Sequence, residues 1–117
     1  MRESVVRDKS FAFALRVVKV NQFLQNQKRE YVMSKQLLRS GTAIGALVRE
    51  ADQAESKRDF VHKMAIALKE ANESEYWIEL LNRSGYIDDQ SSTSLLADLV
   101  ELLKLLTSII KTSKTSG

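Results

Sequence analysis

Apolar positions recur every three or four residues in four separate stretches of the chain, and short polar links join each stretch to the next. Residues of an α-helix advance by about 100° each, so this spacing collects the apolar side chains on one side of a helix. The pattern predicts a first helix from an oxygen-bearing cap at Ser10, fading between Gln25 and Lys28. Asn26 to Glu30 forms a short polar link, and a second helix follows from Tyr31 or Ser34 to Gln53. Ser56 marks the clearest helix start, because with Asp59 three residues on it approximates a capping box. The third helix runs to about Ser84, where Gly85 supplies a left-handed stop. After Tyr86 and Ile87, a polar stretch from Asp88 to Ser94 leads into a fourth helix ending near Lys111. Four helices with short links predict an all-α fold, an antiparallel up-down four-helix bundle. A single domain over 1–111 is expected, with 112–117 as a disordered tail.

The faces say more than the boundaries. The third helix carries a core stripe of Phe60, Met64, Ala67, Ala71, Ile78 and Leu81, and a second patch of Ile66, Trp77 and Leu80 on a different side. The first helix has Phe11, Leu15 and Val18 on one side, and Phe13, Val17, Val20 and Leu24 nearly opposite. The fourth helix is apolar around more than half its circumference. A helix in a lone bundle needs a stripe of roughly 100° to 140°, and these three exceed it. The surplus is best covered between subunits, so self-association is expected, with Phe13, Val17, Val20, Ile66, Trp77 and Leu80 as candidate interface residues. Scattered surface apolar side chains are the alternative.

Composition narrows the class. The chain has 117 residues, no proline, no cysteine and four glycines, with 28% charged residues. That length suits one domain, and the abundant Ala, Leu, Glu, Lys, Arg and Gln cost least in a helix. Without cysteine there is no disulfide framework and no thiolate metal site, which suits the cytoplasm. The opening MRESVVRDKSFAF mixes both charge signs, unlike a signal peptide. The most apolar segment, from Leu95 to Ile110, is broken by Asp98, Glu101 and Lys104, so no membrane partner is expected.

Candidate chemistry is sparse. His62 is the only histidine, and Asp59-x-x-His62 has the spacing of a bundle metal motif but lacks a second histidine-bearing partner. No metal, cofactor or catalytic residue is therefore expected, and the chain reads as a non-enzyme. The remaining enzymatic reading is a site assembled between subunits, for example from Glu50, Glu70 and Tyr76. Gly41 and Gly45 lie inside the second helix, where each costs about 1 kcal/mol relative to alanine. Two on neighbouring turns predict close approach of another backbone. A phosphate loop would need a preceding strand and a Lys-Ser/Thr end, and neither is present.

Charge is unevenly placed. Residues 1–58 carry twelve Lys and Arg against six Asp and Glu, and residues 59–117 carry six against nine. Arg16, Lys19, Lys28, Arg29, Lys35 and Arg39 form a basic run along two neighbouring helices and their link. One reading has it neutralise the phosphates of RNA or DNA. The other pairs it with the acidic half, including Glu50, Asp52 and Glu55, in a protein–protein scaffold without a nucleic-acid role. No aromatic residue is expected in a stacking position beside the run, so recognition would be through phosphate and not base.

The segment from Ser34 to Leu81 also carries a resemblance. Gln36-Leu37, Arg39-Ser40, Ile44, Glu50-Ala51, Ser56, Asp59-Phe60, Ile66-Ala67, Lys69-Glu70 and Tyr76-Trp77 are similar to the bacterial four-helix bundle family called 23S rRNA-intervening sequence proteins. More distantly they resemble the accessory variability determinant of diversity-generating retroelements. The resemblance implies a four-helix bundle, a homopentameric ring and, loosely, nucleic-acid association through a basic surface. The ribosomal part of the name reflects where some of the family's genes lie. Ala43 and Leu47 depart from the family pattern, which has a serine and an asparagine there. Any role those polar groups share is missing from this chain or replaced by packing.

Overall fold

Links of a few residues leave each helix no course except back along its predecessor. The computed structural model describes residues 2–115, which form α1 (Arg2–Asn26), α2 (Met33–Asp52), α3 (Lys57–Arg83) and α4 (Asp89–Thr115). Each helix packs against its two neighbours around a square, and diagonal helices make no close backbone approach. The α1–α4 seam is the loosest of the four. The result is an up-down-up-down four-helix bundle with extents of 49 × 21 × 19 Å. The 27–32 and 84–88 links share one end, and the 53–56 link lies at the other.

Each helix feeds the interior through residues at alternating three- and four-residue steps. On α4 these are Leu95, Leu99, Leu102, Leu106 and Ile109, all buried. They meet Met64, Ala67, Ala71, Ile78 and Leu81 of α3, Leu37, Ile44, Val48 and Ala51 of α2, and Val6, Phe13, Val17 and Leu24 of α1. Phe60, expected at full depth, is only partly buried at the edge of this core.

The caps of α3 follow the sequence signals. Ser56 is extended (φ −152°, ψ 164°), and its Oγ accepts the Asp59 amide at 3.0 Å. The Asp59 carboxylate reaches back to the Glu55 amide at 3.4 Å. Gly85 has φ 88°, and the Tyr86 amide bonds the Leu81 carbonyl at 2.9 Å, closing the helix as a left-handed C-terminal turn.

Ser10 does not cap α1. It lies fully buried inside the helix, its Oγ donating to the Arg7 carbonyl at 3.0 Å, and α1 begins a full two turns earlier. Nothing before Ser10 breaks a helix, and Val6 occupies the core stripe one heptad ahead of Phe13. At the other end, α4 passes Lys111 and continues to Thr115, whose hydroxyl bonds the Lys111 carbonyl at 3.1 Å. Residues 112–115 of the expected tail are thus helical, and Ser116 and Gly117 lie outside the described residues.

The two glycines of α2 lie along α1. A Cβ at Gly41 would sit 2.8 and 2.9 Å from the Val17 methyls, closer than carbon atoms can come. At Gly45 the nearest atom would be the Ser10 Oγ at 3.4 Å, an ordinary contact. One glycine is therefore required by the approach of α1, and the other merely faces it.

Candidate functional site

The basic end of the bundle is organised by a residue that carries the wrong charge. Glu30 turns its carboxylate inward and is only 8% exposed. One oxygen accepts the Val32 and Met33 amides at 3.1 and 3.0 Å, and the other accepts the Ser34 amide at 2.8 Å. The Ser34 hydroxyl returns a bond to the Glu30 carbonyl at 2.8 Å. The orphan N–H groups of the first turn of α2 thus receive a full negative charge. Burial alone would raise the Glu30 pKa, but the bonds from Met33, Ser34 and Val32 outweigh it and hold it below the usual carboxylate range. Arg29, at φ 55°, takes the left-handed conformation that bends the chain into this cap. The Glu30 amide closes the turn on the Leu24 carbonyl at 2.9 Å.

The basic run divides in two around that link. Arg16 donates to the Asp98 carboxylate at 2.7 Å and to the Ser94 hydroxyl at 3.0 Å, tying α1 to α4. Arg39 bonds Glu70 at 3.1 Å and also Glu73, tying α2 to α3. The Arg39 guanidinium, with the Trp77 indole N–H 2.9 Å from the same carboxylate, holds the Glu73 pKa down. Lys19, Lys28, Arg29 and Lys35 make no ion pair among the described residues. All four lie toward the end at which α1 hands over to α2, Lys19 about 10 Å of helix rise from the end of α1 and on its side facing the start of α4. Two of the three carboxylates expected to neutralise the run have other partners within the subunit: Glu50 pairs with Lys63 at 3.0 Å and Asp52 with Arg7 at 3.5 Å. Asp88 and Asp89 share the basic end, but Asp88 caps α4 through the Ser91 amide at 2.7 Å, and Asp89 accepts from Asn82 at 2.9 Å.

Aromatic groups do accompany the cations, contrary to the expectation of a bare phosphate surface. Phe23 is 42% exposed, with the Lys28 ammonium 5.8 Å from its ring centroid. Tyr31 and Val32, on the link itself, are 54% and 72% exposed. Phe23 also lines a cavity of ≈ 290 Å³ between α1 and the start of α4, with Lys19, Val20, Ile87, Asp88 and Ser91. Phe23 was legible as an apolar residue off the core stripe of its helix, and Tyr31 as an aromatic next to a link.

The residues expected at a subunit interface divide between the interior and the surface of the subunit. Phe13 and Val17 are sealed inside the subunit, at 1% and 0% exposure, because α2 and α4 close over that side of α1. Val20 is half-buried against the same core. The stripe left outside is the opposite one: Phe11 at 50%, Leu15 at 53% and Val18 at 37%. These residues, with Ala14, Thr42, Gly45, Ala46 and Arg49, line an open apolar groove of ≈ 350 Å³, and the Arg49 guanidinium lies 5.1 Å from the Phe11 ring centroid. On α3, Leu80 is exposed at 37%, while Ile66 and Trp77 are half-buried, Trp77 packing edge-on against Tyr76 at 5.0 Å.

His62 is exposed beside Ser56, Arg58 and Asp59. Among the described residues no group of three or more His, Cys, Asp or Glu side chains could hold a metal ion. No described helix is long and apolar enough to cross a membrane.

The sequence model of the 23S rRNA-intervening sequence protein family matches residues 2–108. The chain belongs to that family. It is similar to the crystal structure of a protein of unknown function from the S23 ribosomal protein family of Bacteroides thetaiotaomicron, with 57% identity and a TM-score of 0.95. That similarity covers 96% of this chain and 100% of the other. No curated protein matches the chain. Membership in the intervening-sequence family therefore carries the bundle and its packing, and the solved relative adds no activity.

Proposed function

We propose that the protein is a non-enzymatic, cytoplasmic, self-associating bundle that binds RNA or DNA through phosphate at its basic end. The observation that carries this reading is the division of the basic run. Arg16 and Arg39 are held by carboxylates within the subunit, whereas Lys19, Lys28, Arg29 and Lys35 remain without ion pairs among the described residues at one end. Self-association is supported by the exposed Phe11–Leu15–Val18 stripe, an apolar surface beside a groove of small residues. A homopentamer is the proposed assembly. It would repeat each basic end around one axis, concentrating cations far beyond what a net charge of +3 suggests.

Phosphate contacts position a nucleic acid without reading it, so binding should tolerate sequence. Affinity should fall with salt, with a log–log slope of about −0.7 per neutralised phosphate on a single strand. Replacing Lys28, Arg29 and Lys35 together by Gln should weaken binding and flatten that slope, with helicity and assembly mass unchanged. If the wild type binds neither RNA nor DNA at roughly 50 mM salt, where phosphate-driven association is strong, the scaffold reading replaces this one. Light scattering that returns the monomer mass of 13.3 kDa at micromolar concentration removes the assembly.

A further inference from the structure

The link between α1 and α2 presents two large side chains, Tyr31 and Val32, more than half exposed to solvent. Backbone and carboxylate bonds hold it in place: Gln27 and Lys28 amides to the Phe23 and Leu24 carbonyls at 2.8 and 3.2 Å, and three amides to Glu30. Tyr31 and Val32 are not what orders this turn, and both stand in solvent. A link with no binding role would be expected to carry small or polar residues here. Instead the Lys28 ammonium lies over the Phe23 ring at 5.8 Å, Lys19 lines the same cavity as Phe23, and Tyr31 follows Arg29 by two positions on the link, with Lys35 on the first turn of α2. A π-face and a cation on one rigid turn match the two parts of an unpaired nucleotide, its base and its phosphate.

We infer that this end binds single-stranded nucleic acid, with bases stacking on Phe23 and Tyr31 while the lysines and Arg29 take the phosphates. The inference rests on the phosphate reading above and narrows its substrate to strands whose bases are free to splay. A duplex keeps its bases stacked on each other, so the two rings would gain nothing from it. An anionic membrane surface would also attract the cations. However, the exposed apolar groups of this end are confined to Phe23 on the last turns of α1 and to Tyr31 and Val32 on the link, too short a patch for the long apolar helix face that is the usual form of an interfacial anchor.

The test uses the full chain and fluorescein-labelled oligonucleotides of about 15 nucleotides, near the upper site size of small single-strand binders. These are an oligo-U strand, an abasic strand of equal length and phosphate number, and a duplex of the same length. Vesicles of equal parts phosphatidylglycerol and phosphatidylcholine form a fourth arm. The wild type should bind oligo-U at least about fivefold more tightly than the abasic strand, the low end of stacking by one aromatic group. Phe23→Leu combined with Tyr31→Leu should remove that preference, bringing oligo-U binding down to the abasic level with helicity and assembly mass unchanged. Equal affinity for oligo-U and the abasic strand overturns the stacking inference while sparing the phosphate reading. Tighter binding to the duplex does the same. Vesicle binding without oligonucleotide binding, or binding to none of the four, overturns both.

Discussion

The two sides of α1 carry nearly the same chemistry and meet opposite fates. Phe13, Val17 and Leu24 are sealed in the core, while Phe11, Leu15 and Val18, about half a turn away, stand on the surface. Each stripe has one phenylalanine and branched aliphatic partners at helical spacing, so periodicity along α1 finds both and ranks neither. The neighbouring helix decides between them. Gly41 lets α2 approach until it touches the Val17 methyls, and Ser10 fits beside Gly45, so the side of α1 bearing those residues turns inward. The lesson is that a helix with two apolar stripes is oriented by the small residues of its partner.

The most severe way to break this contrast is to truncate each phenylalanine in turn. Phe13→Ala should lower subunit stability by about 3–5 kcal/mol, the usual range for a core aromatic. Phe11→Ala should change it by less than about 1 kcal/mol and instead reduce the assembly mass. Thermal melts of dilute protein, read beside light scattering, check both, and equal losses of stability would end the distinction between inner and outer stripe.

Gly41→Ala comes next. Its Cβ meets Val17 inside the contact limit, so overpacking of about 1–3 kcal/mol should exceed the gain of about 1 kcal/mol in helix propensity. A raised melting temperature would mean that α1 can retreat from α2.

Acid tests the turn from which α2 sets out along α1. The Glu30 pKa is lowered from an ordinary 4.5, so its stabilisation is present above that value and lost as pH falls through the folded-state pKa. Glu30→Gln should cost about 1 kcal/mol at pH 7, as for other lost caps. The gap between variant and wild-type melting temperatures should close below pH 4.5. A gap that persists unchanged at pH 3 would show that the carboxylate charge is not what holds the link. The smallest effect has the opposite sign. Gly45→Ala makes only ordinary contact with Ser10 and should stabilise the helix by up to about 1 kcal/mol.

Much of the fold was legible because its signals are local. Ser56 and Asp59 cap α3, Gly85 stops it, and the leucine spacing of α4 needs no partner to be recognised. The errors fell where a residue's role depends on something distant. Ser10 has the side chain of a cap, but its hydroxyl is satisfied by the preceding turn and it serves as a small core residue facing Gly45. Glu30 is an unconventional cap whose reach depends on the left-handed Arg29, which no side-chain pattern announces. Of the basic run, sequence alone could not separate Arg16 and Arg39 from the rest, because Asp98, Glu70 and Glu73 approach them only once α3 and α4 are in place.

The seam between α1 and α4 has a kinetic meaning. The other three seams join helices consecutive in the chain, so each can form as a local hairpin across a short link. Only this one joins distant segments: Arg16 and Asp98 are 82 positions apart. Its closure carries the largest loop entropy, and it is also the thinnest of the four. The meeting of α1 with α4 is therefore the entropically most costly contact of the fold. In the native state the same boundary should open first, so amides of α1 and α4 should exchange with solvent ahead of those shared by α2 and α3.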